Sequence, residues 1–188
     1  MRRLGQAACG TLPAIMVALA LVAGSTAADT AKSPSALYSA LLKAKVKALP
    51  HGYKKPVVTK YTVTPGAKAH HAVGGVAIVG DGGNEAVIYI IFATAADARL
   101  DWNHRNTKNI RVSAAPSSLP KPSLVANTSS PETIGTKTQT IGLTDTTCLV
   151  GNVIVQGVTS STTNSRQGDP AGSAALTLFA VKHLKSLS

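Results

Sequence analysis

Acidic residues, cysteines and aromatics are all scarce in this chain. Across 188 residues, 8 Asp and Glu stand against 19 Lys and Arg, a formal charge of +11. Two cysteines are too few for a disulfide-stapled mini-protein or a zinc-finger array. One Trp, four Tyr and two Phe supply few of the platforms on which single-stranded nucleic acids stack, and the same scarcity disfavours a carbohydrate-binding module. Long apolar runs are missing too, which excludes a polytopic membrane protein. No Gly-x-Ser-x-Gly elbow or other motif names a reaction. What remains is a globular composition, 44% apolar and 14% charged, neither disordered nor collagen-like.

The N-terminus carries the clearest functional signal. Met1-Arg2-Arg3 precedes an apolar stretch from Leu12 to Ala23, and Ser25-Thr26-Ala27 places small residues at the −3 and −1 positions. A positive start, a short apolar centre and a small-residue exit describe a secretory signal peptide. The apolar stretch is shorter than the ~20 residues that a spanning helix needs. Residues 1–27 are therefore read as a signal peptide, with Ala28 as the neighbouring cleavage position, and residues 28–33 as a short tether. The mature chain of about 160 residues can bury a core without disulfides. It keeps one thiol, Cys148, beside Leu149 and Val150, where a small buried hydrophobe is expected.

Residues 34–188 read as a single α+β domain. Ser33-Pro34 is a helix start, and Leu37, Leu41, Ala44 and Ala48 repeat at helical spacing until Pro50 and Gly52. Val57–Val63 reads as a strand, Pro65-Gly66 as a turn, and Ala72–Val79 as a second strand. Gly74-Gly75 there marks a bulge or a close backbone approach. Asp81–Asn84 is a hairpin turn. Glu85–Phe92 is apolar on both faces and so predicts a central, covered strand. Thr94 caps a helix from Ala95 to about His104. Residues 112–137, rich in Ser, Thr and Pro, read as a long connection, with Ile110–Val112 offering a short edge strand. Thr138–Leu143 and Thr146–Val158 predict a second hairpin across Thr144-Asp145, followed by a polar loop at 159–172 and a closing helix from Ala174 to Leu187. The expected architecture is a mainly antiparallel sheet built from two hairpin-plus-helix units, with an additional N-terminal helix and strand and the helices mainly on one face.

No acid occurs between Asp29 and Asp81, an interval that holds eight lysines. Such a field attracts anionic polymers or anionic lipid headgroups, and Lys rather than Arg suits diffuse attraction better than bidentate recognition. The residues expected to carry this contact are Lys43, Lys45, Lys47, Lys54, Lys55 and Lys60. Sequence-specific nucleic-acid binding is not expected. His70-His71 offers imidazole nitrogen to a metal, but adjacent strand residues point to opposite faces, so no metal site and no cofactor are expected. Asp97, Asp101 and Arg105 share one helix face, with Asp97 suited to the helix N-terminus and Asp101 to pairing with Arg105. Asp101–Arg105 is the densest cluster of chemical side chains, and an active site would use His104 as base and Asp101 as its orienter. Asn127-Thr128-Ser129 is a glycosylation sequon in an expected exposed connection.

The favoured function is an exported, soluble, non-catalytic binding protein that engages an anionic partner at the cell surface or outside it. The alternatives are a secreted enzyme of unknown class with a site near His104, and a dimeric structural or assembly subunit; the sequence leaves the oligomeric state open. Expressed in a secreting host, the chain should be recovered outside the cytoplasm with Ala28 or Asp29 as its first residue by N-terminal sequencing. A membrane-bound chain that still begins at Met1 would assign an uncleaved anchor instead.

Overall fold

Seven strands lie antiparallel in one sheet, in the order β1-β2-β3-β7-β6-β5-β4. The computed structural model describes residues 32–50, 55–80, 84–105, 110–134, 137–161 and 168–187. The expected signal peptide, His51, Lys54, the Asp81–Gly83 part of the expected turn and the centre of the 159–172 loop lie outside them.

Helix α1 (Pro34–Lys43) starts where the sequence directs it: Ser33 accepts from the Ala36 N–H at 3.3 Å, and proline occupies the first turn. It stops earlier than expected. Ala44 is already extended, with ψ 134°. From there Lys43, Lys45 and Lys47 are exposed while Ala44 and Val46 turn inward and Leu49 is buried. That is a period of two as far as Lys47; Ala48 is then exposed, and the break in the alternation lets Leu49 join Val46 in the core formed with Leu37 and Leu41. The helical spacing of Ala44 and Ala48 predicts a continued helix, but Ala48 is exposed and Leu49 takes the core position.

Strand β1 (Val57–Tyr61) leads to a five-residue helix, α2 (Pro65–Ala69), where only a turn was expected; the Thr64 hydroxyl caps it by accepting from the Ala67 N–H. Strands β2 (Ala72–Val79) and β3 (Glu85–Phe92) pair as the expected hairpin. Their register shifts between Ala72 and Gly74, and the Tyr38 ring lies 2.7 Å from where a Gly74 Cβ would be. Thr94 caps α3 (Ala95–Asn103), accepting from the Asp97 N–H at 3.1 Å.

The 112–137 stretch is not one long connection. It contains most of β4 (Arg111–Ala114) and all of β5 (Ser123–Ile134). The prolines do exclude helix, and Pro116, Pro120 and Pro122 fall in the turn between these strands. Pro131 sits beyond the part of β5 that β4 pairs, where β5 has one strand neighbour among the described residues, a setting that tolerates proline. Strand β6 (Lys137–Val150) runs straight through Thr144-Asp145, and the hairpin turn to β7 (Val153–Ser161) is at Gly151-Asn152 instead. Gly151 has φ +57°, the left-handed backbone that a two-residue hairpin needs and glycine adopts without strain. Asn152 ties this turn to the end of β3 through its side-chain amide to the Phe92 carbonyl at 2.8 Å. Composition hid the turn because it interrupts a run that is apolar on both sides.

Helix α4 (Pro170–Leu187) and α1 pack on one face of the sheet. Leu176, Ala180, Val181 and Leu184 meet Val76, Val87, Tyr89 and Val155 there. The two short helices α2 and α3 cover part of the other face, where Ala67 and Ala98 pack with Ile90, Phe92, Leu149 and Ile154. Burying each large apolar side chain contributes roughly 1.5–3 kcal/mol. Among the described residues, no helix is long and apolar enough to cross a membrane.

Helix α4 and strand β7 approach each other closely at Gly157. A Cβ on Gly157 would lie 2.3 Å from the Ser173 carbonyl oxygen and 2.6 Å from the Thr177 nitrogen. Beside it the Thr177 hydroxyl donates to the Thr146 carbonyl at 2.7 Å, and the Ser173 and Thr146 hydroxyls bond at 2.6 Å. Gly157→Ala should therefore lower stability by about 3 kcal/mol, read as a reduced denaturant midpoint with an unchanged slope.

Candidate functional site

Two regions carry the sequence-predicted site residues, and they lie on different sides of the sheet. The first is the lysine layer. Lys43 ends α1, Lys45 and Lys47 point outward from the extended segment that follows, and Lys60 is exposed on edge strand β1. Exposed Lys55 is brought next to them because its N–H donates to the Lys47 carbonyl at 3.4 Å, with Lys55 itself at φ +57°. Lys54 is outside the described residues. Two further exposed lysines, Lys182 and Lys185, stand on α4 in the same helix layer as α1, and the Lys32 ammonium donates to the Leu187 carbonyl where the two helices meet. The sequence reading missed Lys182 and Lys185 because they are far from the acid-free interval in the chain. Neither α1, the segment after it, β1 nor α4 contains an Asp or Glu.

The second region lies where the α2–β2 turn meets α3, on the opposite face. The expected dyad of His104 and Asp101 is not formed. Asp101 Oδ1 is bonded instead to His70 Nδ1 at 3.1 Å, and His104 Nδ1 is 2.8 Å from the Leu100 carbonyl of its own helix. The His70 and His104 rings are nevertheless neighbours, with centroids 5.2 Å apart. His71 Nδ1 bonds Asp97 Oδ1 at 3.0 Å. Both adjacent histidines thus reach one helix, which a regular strand would forbid. His71 has φ +58° and precedes β2, so the strand geometry assumed for the pair does not hold. Asp97 also accepts from the Thr94 hydroxyl at 2.7 Å. That bond, followed by the His71 bond, holds its carboxyl below the ordinary range.

Asp101 was expected to pair with Arg105. The Arg105 guanidinium instead lies 4.9 Å from the centre of the Trp102 ring, a cation–π distance, and its Nε is buried with no hydrogen-bond partner. Burial lowers its pKa, opposed by the charges of Asp145 and Asp101. Asp145, expected in a turn, is a half-buried residue of β6 that accepts from Thr147 at 2.7 Å and Gln156 at 3.1 Å. Burial raises its carboxyl, opposed by the Thr147 bond and the Arg105 charge. Trp102 packs at the rim of the smaller core cluster.

The remaining candidates are structural. Cys148 is fully buried, and burial pushes its thiol up to about 12, far from the thiolate that chemistry requires. The Asn127 side chain accepts from the buried Thr144 hydroxyl at 2.7 Å within β5, so the sequon is in a strand and not in an exposed connection. His183 Nδ1 and the Tyr89 hydroxyl are 3.0 Å apart, and Phe179 stacks on the same imidazole.

No family model matches the chain, and no curated protein does. Among solved structures, the extracellular domain of PknH from Mycobacterium tuberculosis is similar at 14% identity and TM-score 0.39, over 70% of this chain and 83% of that one. A likeness this slight transfers neither fold nor function.

Burial lowers the His183 pKa from its ordinary value of 6.5. The folded chain therefore binds fewer protons there than the unfolded chain. The associated stability is present above pH 6.5 and is lost as pH falls through the lowered value. Asp145, raised by burial, acts in the opposite sense. The readout is consequently the difference between the wild type and His183→Gln, which retains a partner for Tyr89. The wild type should lose more melting temperature than the variant between about pH 7.5 and about pH 5.

Proposed function

We propose that this chain is an exported, non-catalytic binding protein that holds an anionic polymer at or beyond the cell surface through its lysine layer. The observation that carries the reading is the outward alternation of Lys43, Lys45 and Lys47, joined by Lys55 and Lys60, on a set of elements without a single carboxylate. A dispersed field of ammonium groups raises the local concentration of a polyanion without demanding one fixed geometry. Lys182 and Lys185 widen the same field. Export is supported by the positive, apolar and small-residue order of residues 1–27. The alternative reading as an enzyme with a His104 base is weakened, because Asp101 orients His70 and not His104.

The test uses a dextran sulfate column and, separately, vesicles of anionic phospholipid. Wild type should bind dextran sulfate at low salt and release as salt screens the contact. Replacing Lys43, Lys45, Lys47, Lys54, Lys55 and Lys60 by Gln should weaken binding by about 100-fold at low salt, and by far less near 0.5 M salt, with an unchanged melting temperature. Equal retention of the two proteins would overturn the proposal. Binding to the vesicles with none to the polymer would move the partner to a lipid surface.

A further inference from the structure

We propose that His70 and His104 form a two-imidazole site for a divalent transition metal, zinc or copper, at the junction of the α2–β2 turn with α3. Hydrogen bonds fix the tautomers of both rings. A backbone carbonyl can only accept, so His104 Nδ1, at 2.8 Å from the Leu100 carbonyl, carries a proton. His70 Nδ1, at 3.1 Å from the Asp101 carboxylate, carries one for the same reason. In each neutral ring the lone pair is then left on Nε2. A metal-binding histidine is typically prepared in this way, with its other nitrogen donating to a carboxylate or a backbone carbonyl, which fixes the tautomer and raises ligand basicity.

The spacing agrees. Two imidazoles that share a tetrahedral ion through bonds of about 2.1 Å set their ring centroids about 5.3 Å apart. The rings of His70 and His104 are 5.2 Å apart and tilted by 43°. His104 is exposed and His70 half-buried, so an ion reaches them from solvent. Imidazole suits zinc and copper, and copper should bind the tighter of the two. The described residues contain no cluster of three or more His, Cys, Asp or Glu able to hold a metal, so water fills the remaining coordination positions. The site is therefore exchangeable and distinct in kind from a closed structural zinc centre. It departs from the expectation, drawn from the sequence, that the chain has no metal site. That expectation weighed His70 with His71, its neighbour in the chain, whereas the fold pairs it with His104 across 34 positions of sequence.

The test is calorimetric titration of the full, untagged chain with Zn2+, repeated with Cu2+. Wild type should bind one equivalent, and Cu2+ more tightly than Zn2+. His104→Ala removes an exposed ligand and should weaken Zn2+ binding by about tenfold or more with an unchanged melting temperature of the metal-free chain. Asp101→Asn keeps an acceptor for His70 but removes its charge, and should weaken binding by about tenfold. His51→Gln and His183→Gln should bind as the wild type does. In nitrogen-15 spectra, added Zn2+ should shift Nε2 of His70 and His104 while their Nδ1 protons persist. Absence of binding, or binding that His104→Ala leaves unchanged, overturns the proposal.

Discussion

At Gly157 the backbone of β7 and the backbone of α4 lie closer than any side chain would permit, with a hypothetical Cβ only 2.3 Å from the Ser173 carbonyl oxygen. This approach sets the height of the helix layer above the sheet. It also explains why the inner stripe of α4 includes Gly172, Ser173 and Thr177, all buried, beside Leu176, Ala180 and Leu184. Small residues admit the close contact, and the hydroxyls of Ser173 and Thr177 satisfy themselves on Thr146 and on the helix backbone. Buried polar groups are tolerated only on such terms. The apolar half of the same stripe then seals the sheet face against Val76, Tyr89 and Val155, with α1 alongside.

That layering separates two kinds of surface chemistry. Helices α1 and α4 display lysines and contain no Asp or Glu of their own. The α3 side holds Asp97 and Asp101, each tied to a histidine of the preceding turn. Four of the described acids are engaged in local structure: Asp97 at a helix start, Asp101 on His70, Asp145 with Thr147 and Gln156, and Asp169 accepting from the Ala171 N–H at the start of α4. Residues used in this way leave the lysine field uncompensated by carboxylates on its own elements. The histidine pairs meanwhile clamp the α2–β2 turn to α3 and tolerate a left-handed His71 between them, a backbone cost that persists only where surrounding contacts fix it.

The parts of the fold that were legible in the sequence are those with short-range causes. Ser33 and Thr94 cap helices, the run from Glu85 to Phe92 is an inner strand, and Gly74 lies at both a register shift and a close approach, all as local pattern predicts. Ambiguity entered where one pattern supports two structures. Small Ala44 and Ala48 continue the helical spacing of Leu37 and Leu41 but bury little themselves, and the core position of Leu49 favours an extended segment. The Ser, Thr and Pro content around β5 resembles a loop, and only its pairing with β6 along twelve registered positions makes it a strand. The continuous apolar run from Cys148 to Val155 contained its own turn at Gly151-Asn152.

The sequence by itself determined the excess of lysine, the helix starts and the central strand, because charge, hydropathy period and capping act within a few residues of one another. Only the tertiary structure decided which groups meet. It joined His70 to Asp101 and brought it beside His104, added the lysines of α4 to the layer of α1, and seated Thr177 on the backbone of β6. Those encounters depend on strand order and helix docking, and no local pattern encodes the partner of a side chain that lies thirty residues away.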